Sequence, residues 1–228
     1  LGHKIVDPVP SLFTFNMPEE TIRTLMGIVV EKNKTSIQGT KLKSDGPLLV
    51  THWGMSGPSI LKLSAFGART LSELRYEFTL QVNWVDEGNN EAVKTFLADI
   101  IRLHQHKILA NYRPYQLPER LWHFLLTKAK LPLDKKWGEL GKKGMNKLIN
   151  LLCNDLYSVR GKTTFKEEFV TCGGVSLQEI DVKTMQSKLC PNLYFAGEVM
   201  DIDGITGGYN FQAAWTTAFI AGKLGGLA

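Results

Sequence analysis

Glycines, a carboxylate and a helix start follow one another closely near the end of the chain. Gly197 ends an apolar run, Glu198 follows it directly, and Gly207 and Gly208 precede a segment with helical spacing. A glycine lets a ligand approach the backbone, and a carboxylate just beyond it accepts hydrogen bonds from a polyol. The first N–H groups of a helix lack intrahelical partners and carry the positive end of its dipole. This order predicts a site for a ligand with hydroxyl groups and developing negative charge.

Nine residues of this segment are candidate ligand contacts: Gly197, Glu198, Asp203, Gly207, Gly208, Tyr209, Asn210, Phe211 and Gln212. Glu198 is the predicted hydroxyl acceptor, and the backbone N–H groups around Asn210, Phe211 and Gln212 are the predicted donors. Spacing alone leaves a second interpretation open, in which a buried strand, a glycine-rich turn and a core helix bind no ligand. Asp203 is then a loop residue or helix cap, and Tyr209 packs the loop.

The other residues that could take part in chemistry are histidines. His52 follows a predicted strand beside a glycine-rich turn, where an imidazole can donate a hydrogen bond or move a proton. A structural role for His52 is the alternative, so it is a catalytic candidate only. His104 and His106 are two positions apart in a helical stretch and therefore point to different faces. No metal site is predicted.

Composition favours an ordinary globular protein. The 228 residues carry a net charge of +5, with the basic residues scattered apart from short clusters such as Lys142-Lys143, so we expect no nucleic-acid partner. The three cysteines are far apart and form no C-x-x-C pair, which fits a reducing cytoplasm. No uninterrupted apolar stretch suggests a membrane segment. Because no initiating Met is present, we expect the chain to be cut from a longer one.

Hydrophobic periodicity divides the chain into β-rich and helical parts. Residues 25–82 read as several strands interrupted by one helix that begins near Pro58. From about Asn89 the spacing becomes helical, and strands return after Tyr157, including 168–171. Residues 192–197 read as a buried strand, and a helix follows over 210–224. The predicted fold class is α+β or α/β.

Several motifs resemble one known family. Residues 197–215 match a G-E-x-x-D-x-D-G-x-T-G-G-Y-N-x-Q-x-A-W pattern without a gap, and this run resembles the closing motif of the BaiN-like, aminoacetone-oxidase-like FAD-dependent oxidoreductases. Residues 51–61 are similar to the family's T-H-x-G-x-S-G-P-x-x-L element, and residues 171–185 to its T-x-G-G-V element. The opening, residues 2–12, resembles its G-H-x-I-V-x-P-x-P-S-L element. The helical middle carries no matching motif.

The resemblance implies a two-dinucleotide-binding flavoprotein fold with an inserted β-barrel-like and helical subdomain. It divides the chain into an FAD-domain edge (1–13), a β-rich inserted domain (14–88), a helical subdomain (89–156) and the C-terminal part of the FAD-binding domain (157–228). It also implies FAD as cofactor, NAD(P)H as a possible co-substrate and hydride transfer between the flavin and a nicotinamide or small organic molecule.

One family element is missing from the sequence. The G-x-G-x-x-G strand-turn-helix that holds the ADP half of FAD does not occur in these 228 residues. We therefore expect the chain to need an N-terminal FAD-binding segment as partner and to be inactive without it. The alternative is a non-catalytic substrate- or partner-binding domain that binds no cofactor.

Overall fold

The computed structural model describes residues 1–162 and 170–225, so the predicted strand residues Glu168 and Phe169 lie outside the described part. Within these ranges the chain is mixed α/β, which confirms the predicted fold class. The described strands are β1 (Ile5–Ser11), β2 (Phe15–Asn16), β3 (Val29–Val30), β4 (Lys34–Ile37), β5 (Lys43–Asp45), β6 (Leu48–Val50), β7 (Gly54–Ser56), β8 (Glu77–Asn83), β9 (Asp155–Arg160), β10 (Val170–Val175), β11 (Ile180–Asp181) and β12 (Gln186–Ser187). The described α-helices are α1 (Pro58–Phe66), α2 (Ala68–Glu73), α3 (Asn90–His104), α4 (Glu119–Lys128), α5 (Gly141–Asn154) and α6 (Tyr209–Gly225).

The chain folds as two compact units. The terminal unit comprises Leu1–Thr14, Leu61–Tyr76 and Lys162–Ala228, and the central unit comprises Phe15–Ile60 and Glu77–Gly161. Residues 61–76, which the sequence analysis placed in the β-rich inserted domain, belong to the terminal unit because α2 packs on β1.

In the terminal unit, β1 pairs antiparallel with β10, and β11 pairs antiparallel with β12. A small apolar cluster of Val175, Ile180, Met185 and Met200 lies between these strands and the loop that leads to α6. Gly174 has a φ of +131°, and a Cβ there would lie 2.5 Å from the Val199 carbonyl oxygen. Since a side chain would push this loop away, Gly174, the second glycine of the T-x-G-G-V element, permits its close packing.

The central unit contains two four-stranded antiparallel sheets, with the orders β2-β7-β6-β3 and β5-β4-β8-β9. Its three helices follow the predicted helical spacing. The Asn89 side chain caps α3 by accepting a hydrogen bond from the Ala92 N–H at 2.8 Å. Val93, Leu97 and Ile100 form the buried stripe of α3, as expected from positions three and four residues apart.

Two local predictions are wrong. The single helix expected after Pro58 is two helices, because Gly67 leaves the helical conformation between α1 and α2. Residues 192–197 are not a buried strand: Tyr194 makes one isolated bridge with Gln186, and the segment is at most half-buried. An apolar run of this length packs equally well as an extended loop when no neighbouring strand pairs with it.

Across residues 1–162 and 170–225, no helix combines the length and the apolar character that crossing a membrane requires.

Candidate functional site

The glycine-rich segment near the end of the chain encloses a cavity in the terminal unit. Met200 forms a parallel bridge with Val175 and is buried, while the preceding residues Gly197–Val199 make a 3₁₀ turn. The loop then runs to the start of α6 at Tyr209. The turn, the loop and the first two turns of α6 surround about 390 Å³ of space. That volume falls within the range of small-molecule sites, about 300–1,000 Å³.

Backbone and apolar groups dominate the cavity lining. It is formed by Leu12, Val170, Gly197, Glu198, Met200, Ile202, Ile205, Thr206, Gly207, Gly208, Asn210, Phe211, Ala213 and Ala214. Six of the nine predicted contact residues are among them, whereas Asp203, Tyr209 and Gln212 are not. A lining of this kind suits a flat, largely apolar ring with a few polar edges.

The Asn210 side chain fixes the loop against the helix. Its Oδ1 accepts a hydrogen bond from the Gly204 N–H at 2.7 Å, and its Nδ2 donates to the Gly204 carbonyl at 2.9 Å. A Cβ at position 204 would lie 3.1 Å from the Tyr209 Cβ, so glycine permits this close approach. Asn210 therefore contributes its side chain to the shape of the cavity, in addition to its predicted backbone donor.

The start of α6 presents backbone donors. The Asn210 and Phe211 N–H groups have no hydrogen-bond partner within residues 1–162 and 170–225. By contrast, the Gln212 N–H donates to the Gly208 carbonyl at 2.9 Å, closing the first turn, and is not available to a ligand. No acidic residue occupies the first turn. The free donors and the helix dipole both favour negative charge at this end of the cavity.

Thr217 is a structural residue that the sequence analysis did not identify. Its buried hydroxyl oxygen accepts a hydrogen bond from the Gly197 N–H at 2.9 Å and donates to the Ala213 carbonyl at 2.7 Å. It thus ties the 3₁₀ turn to the second turn of α6. A hydroxyl among the small apolar residues of α6 was the available signal, but its partner is 20 positions away in sequence.

Glu198 lines the cavity and has one oxygen already engaged. Its Oε1 accepts a hydrogen bond from the Thr171 N–H at 2.6 Å, at the second residue of β10. Within residues 1–162 and 170–225 its other oxygen has no hydrogen bond. The Thr171 contact orients the carboxylate, which leaves Oε2 as an acceptor for a ligand hydroxyl.

Asp203 bonds within the protein. Its Oδ2 accepts a hydrogen bond from the buried Ser11 hydroxyl at 3.0 Å. The pKa of the Cys172 thiol is raised from 9.0 to about 11. Burial is the largest cause, and a hydrogen bond to Asp203 and repulsion by its charge add to it. Asp203, Gly204 and Tyr209 also line a second hollow of about 320 Å³ beside Phe66.

We expect Cys172 to resist alkylation. With a pKa of about 11, only about one thiol in a thousand is ionised near pH 8, and the thiolate is the nucleophile. The half-buried Cys190 is therefore expected to label faster with iodoacetamide, which mass spectrometry of the digested protein measures. Asp203→Asn should accelerate Cys172 labelling, whereas Asp7→Asn should not. Equal rates for Cys172 in both variants would contradict the contact with Asp203.

Two exposed aromatic side chains lie on α6. Phe211 is 69% exposed and Trp215 is 68% exposed, and their rings stack with centroids 6.1 Å apart. Phe211 also lines the cavity, so its side chain is placed to contact a ligand there. The predicted candidate Tyr209 is exposed at the first position of the helix.

His52 lies in the central unit, on the exposed turn between β6 and β7. Its ring is 4.6 Å from that of Trp53, centroid to centroid. A catalytic role for His52 stays a prediction. No group of three or more His, Cys, Asp or Glu side chains that could hold a metal occurs in the part of the chain that the structure describes.

Comparison with known proteins gives one family match and several relatives. The model of the HI0933-like protein barrel and H2TH domain matches residues 9–170. The ribosomal RNA dihydrouridine synthase of Escherichia coli is 33% identical over 208 residues, which cover 91% of this chain and 49% of that protein. The Haemophilus influenzae protein of the same name is 31% identical over 221 residues, which cover 96% of this chain and 52% of that protein.

A third relative has a different substrate in its name. The 3-dehydro-bile acid delta(4,6)-reductase of Clostridium scindens is 24% identical over 225 residues, covering 98% of this chain and 55% of that protein. The chain spans about half the length of the curated relatives it matches. The family model covers most of the chain, including the whole central unit. The chain therefore belongs to the HI0933-like family, the BaiN-like and aminoacetone-oxidase-like flavoproteins that its motifs resemble.

Proposed function

We propose that this chain forms the ring and ribityl end of an FAD site in a flavin-dependent reductase. The observation that supports it best is the cavity between the Gly197 turn and the start of α6. When bound, FAD supplies hydride transfer, and two-electron reduction places negative charge on one edge of its ring. In this proposal the unpaired Asn210 and Phe211 N–H groups stabilise such charge, and Glu198 Oε2 accepts a ribityl hydroxyl.

The proposed reaction is reduction of a carbon–carbon double bond. Dihydrouridine is uridine with two hydrogens added across such a bond, and a delta(4,6)-reductase likewise acts on double bonds, so the relatives' names share this chemistry. NAD(P)H is the proposed hydride source. Because the two synthases are more similar to this chain than the bile acid reductase is, a uridine of ribosomal RNA is the proposed substrate. A cytoplasmic location fits both NAD(P)H and ribosomal RNA.

The phosphate half of the proposed FAD site must come from another segment. The glycine-rich phosphate motif is absent from these residues, and the chain spans about half of each relative. We propose that an N-terminal FAD-binding segment completes the site, and that turnover requires it. The chain alone should then hold the ring and ribityl group weakly.

Comparing riboflavin with FAD tests this proposal. Riboflavin has the ring and the ribityl chain but no phosphate, so the full 228-residue chain should bind the two with similar dissociation constants. Quenching of flavin fluorescence measures both. Glu198→Ala should weaken both equally by removing the ribityl acceptor.

Two results would count against the proposal. Much tighter binding of FAD than of riboflavin would mean that this chain holds the phosphates. No binding of either flavin would favour the alternative, a non-catalytic substrate- or partner-binding domain.

A further inference from the structure

Positive charge is concentrated in one part of the central unit. Between residues 102 and 147 the sequence has eleven Lys or Arg residues and three Asp or Glu residues, although the whole chain has a net charge of only +5. The acidic residues are Glu119, Asp134 and Glu139. The expectation of no nucleic-acid partner rested on the scatter of basic residues along the whole sequence, and this segment departs from that scatter.

Several of these basic side chains have structural partners. Lys128 pairs with Asp155, Lys147 donates to the Ala129 carbonyl, and Arg102 pairs with Asp99. The side chains of a second group make no ion pair within residues 1–162 and 170–225, namely Lys107, Lys135, Lys136, Lys142 and Lys143. We call these five lysines the basic platform. Their charge is available to an external anion.

Backbone hydrogen bonds join the two segments that carry Lys107, Lys135 and Lys136. The Trp137 N–H donates to the Lys107 carbonyl at 2.9 Å, and the Leu109 N–H donates to the Lys135 carbonyl at 2.7 Å. Ile108 and Lys136 form an antiparallel bridge between the same two segments. Lys142 and Lys143 follow at the start of α5, directly after the 3₁₀ turn that begins at Trp137.

Buried tryptophans hold the platform in place. Trp122 and Trp137 are fully buried, and their rings are parallel within 6° with centroids 6.1 Å apart. The Trp122 Nε1 donates to the Leu109 carbonyl at 2.7 Å. The two lysine-bearing segments are therefore anchored to the core, and ordering them on binding should cost little free energy.

An aromatic ring lies within the platform. The Lys107 Nζ is 5.2 Å from the centroid of the Tyr112 ring, and the His104 ring is 4.2 Å from it. Lysines beside a half-exposed aromatic ring combine contacts to phosphates with a surface on which a base can stack.

We propose that the basic platform binds the phosphate backbone of RNA. This inference rests on the proposed function for the choice of RNA, because the substrate proposed there is a uridine of ribosomal RNA. Binding by the platform requires neither a flavin nor turnover, so the two proposals can fail separately.

Charge-neutralising variants test the platform. The triple variant Lys107→Gln, Lys135→Gln, Lys136→Gln should bind a ribosomal RNA hairpin about tenfold or more weakly at about 0.1 M salt, because each lysine removed loses a phosphate contact. The slope of log Kd against log salt should fall by about two to three. Fluorescence anisotropy with labelled RNA measures both quantities in the full chain.

A matched control has the same change in net charge. Lys32→Gln, Lys41→Gln, Lys43→Gln removes three exposed lysines from the β-rich part of the same unit and should leave the affinity unchanged. Replacing Lys107, Lys135 and Lys136 with arginine should also retain binding, because arginine keeps each positive charge.

Three outcomes would overturn the proposal: equal losses in the two triple variants, no RNA binding by the unmodified chain, or retention on anionic lipid vesicles without affinity for the hairpin. A flavin titration of the platform variant should match that of the unmodified chain.

Discussion

Asp155→Ala is expected to lower the free energy of unfolding of the central unit by about 3–5 kcal/mol. Asp155 is 1% exposed, and both of its carboxylate oxygens are engaged. Oδ1 pairs with the Lys128 Nζ at 2.6 Å, while Oδ2 accepts hydrogen bonds from the Trp84 Nε1 at 3.0 Å and from the Tyr157 hydroxyl. Removing the carboxylate leaves two buried donors without an acceptor, and each costs about 1–3 kcal/mol.

Chemical denaturation followed by tryptophan fluorescence measures this loss. Asp134→Ala is the matched control, because Asp134 is exposed and its side chain has no hydrogen bond or ion pair within residues 1–162 and 170–225. That variant should change stability by no more than about 0.5 kcal/mol. Asp155→Asn should lie between the two, since it keeps one acceptor oxygen but loses the charge beside Lys128. A loss in Asp155→Ala no larger than that in the control would contradict the proposed role of the buried carboxylate.

Regular periodicity made much of the fold predictable. The stripe of Val93, Leu97 and Ile100 identified α3, and Gly207 and Gly208 marked the start of α6 to within one residue. Helices can be recognised in this way because every third or fourth side chain faces the core. Short apolar runs carry less information, so residues 192–197 were mistaken for a strand although the structure pairs only Tyr194.

Within the candidate site, six of the nine predicted residues line the cavity, but the sequence did not indicate how each is held. Asn210 bonds to Gly204, and Glu198 bonds to the Thr171 backbone, and neither contact leaves a repeating pattern in the sequence. Asp203 stays a predicted cofactor contact, and the sequence did not indicate that its carboxylate bonds to Ser11, 192 positions earlier in the chain. Long-range partners depend on tertiary packing, which periodicity does not encode.

The sequence also does not show which basic residues are paired with acidic ones. In the sequence the basic residues are scattered, with Lys142-Lys143 as a short cluster. The structure separates lysines that neutralise internal groups, such as Lys128, from those without an acidic partner. Only the lysines without an acidic partner attract an external anion strongly, because a paired charge contributes little to the electrostatic field outside the protein.

Asn210→Ala is expected to weaken riboflavin binding by about ten- to thirtyfold. The variant loses two hydrogen bonds to Gly204, each contributing about 1 kcal/mol to holding the loop against α6. Ile205, Thr206 and Gly207 line the cavity from that loop, so its release opens one wall. Quenching of flavin fluorescence measures the change, and Asn146→Ala, an exposed asparagine on α5, is the control.

A change of charge at the same position separates loop support from electrostatics. Asn210→Asp keeps the acceptor for the Gly204 N–H, loses the donor to the Gly204 carbonyl and adds a negative charge in the first turn of α6. A carboxylate there stabilises the helix but repels the anionic ring of a reduced flavin. Asn210→Asp should therefore bind oxidised riboflavin more tightly than Asn210→Ala does, yet lower the reduction potential of the bound flavin. An unchanged potential in Asn210→Asp would mean that the charged ring edge does not lie at the start of α6.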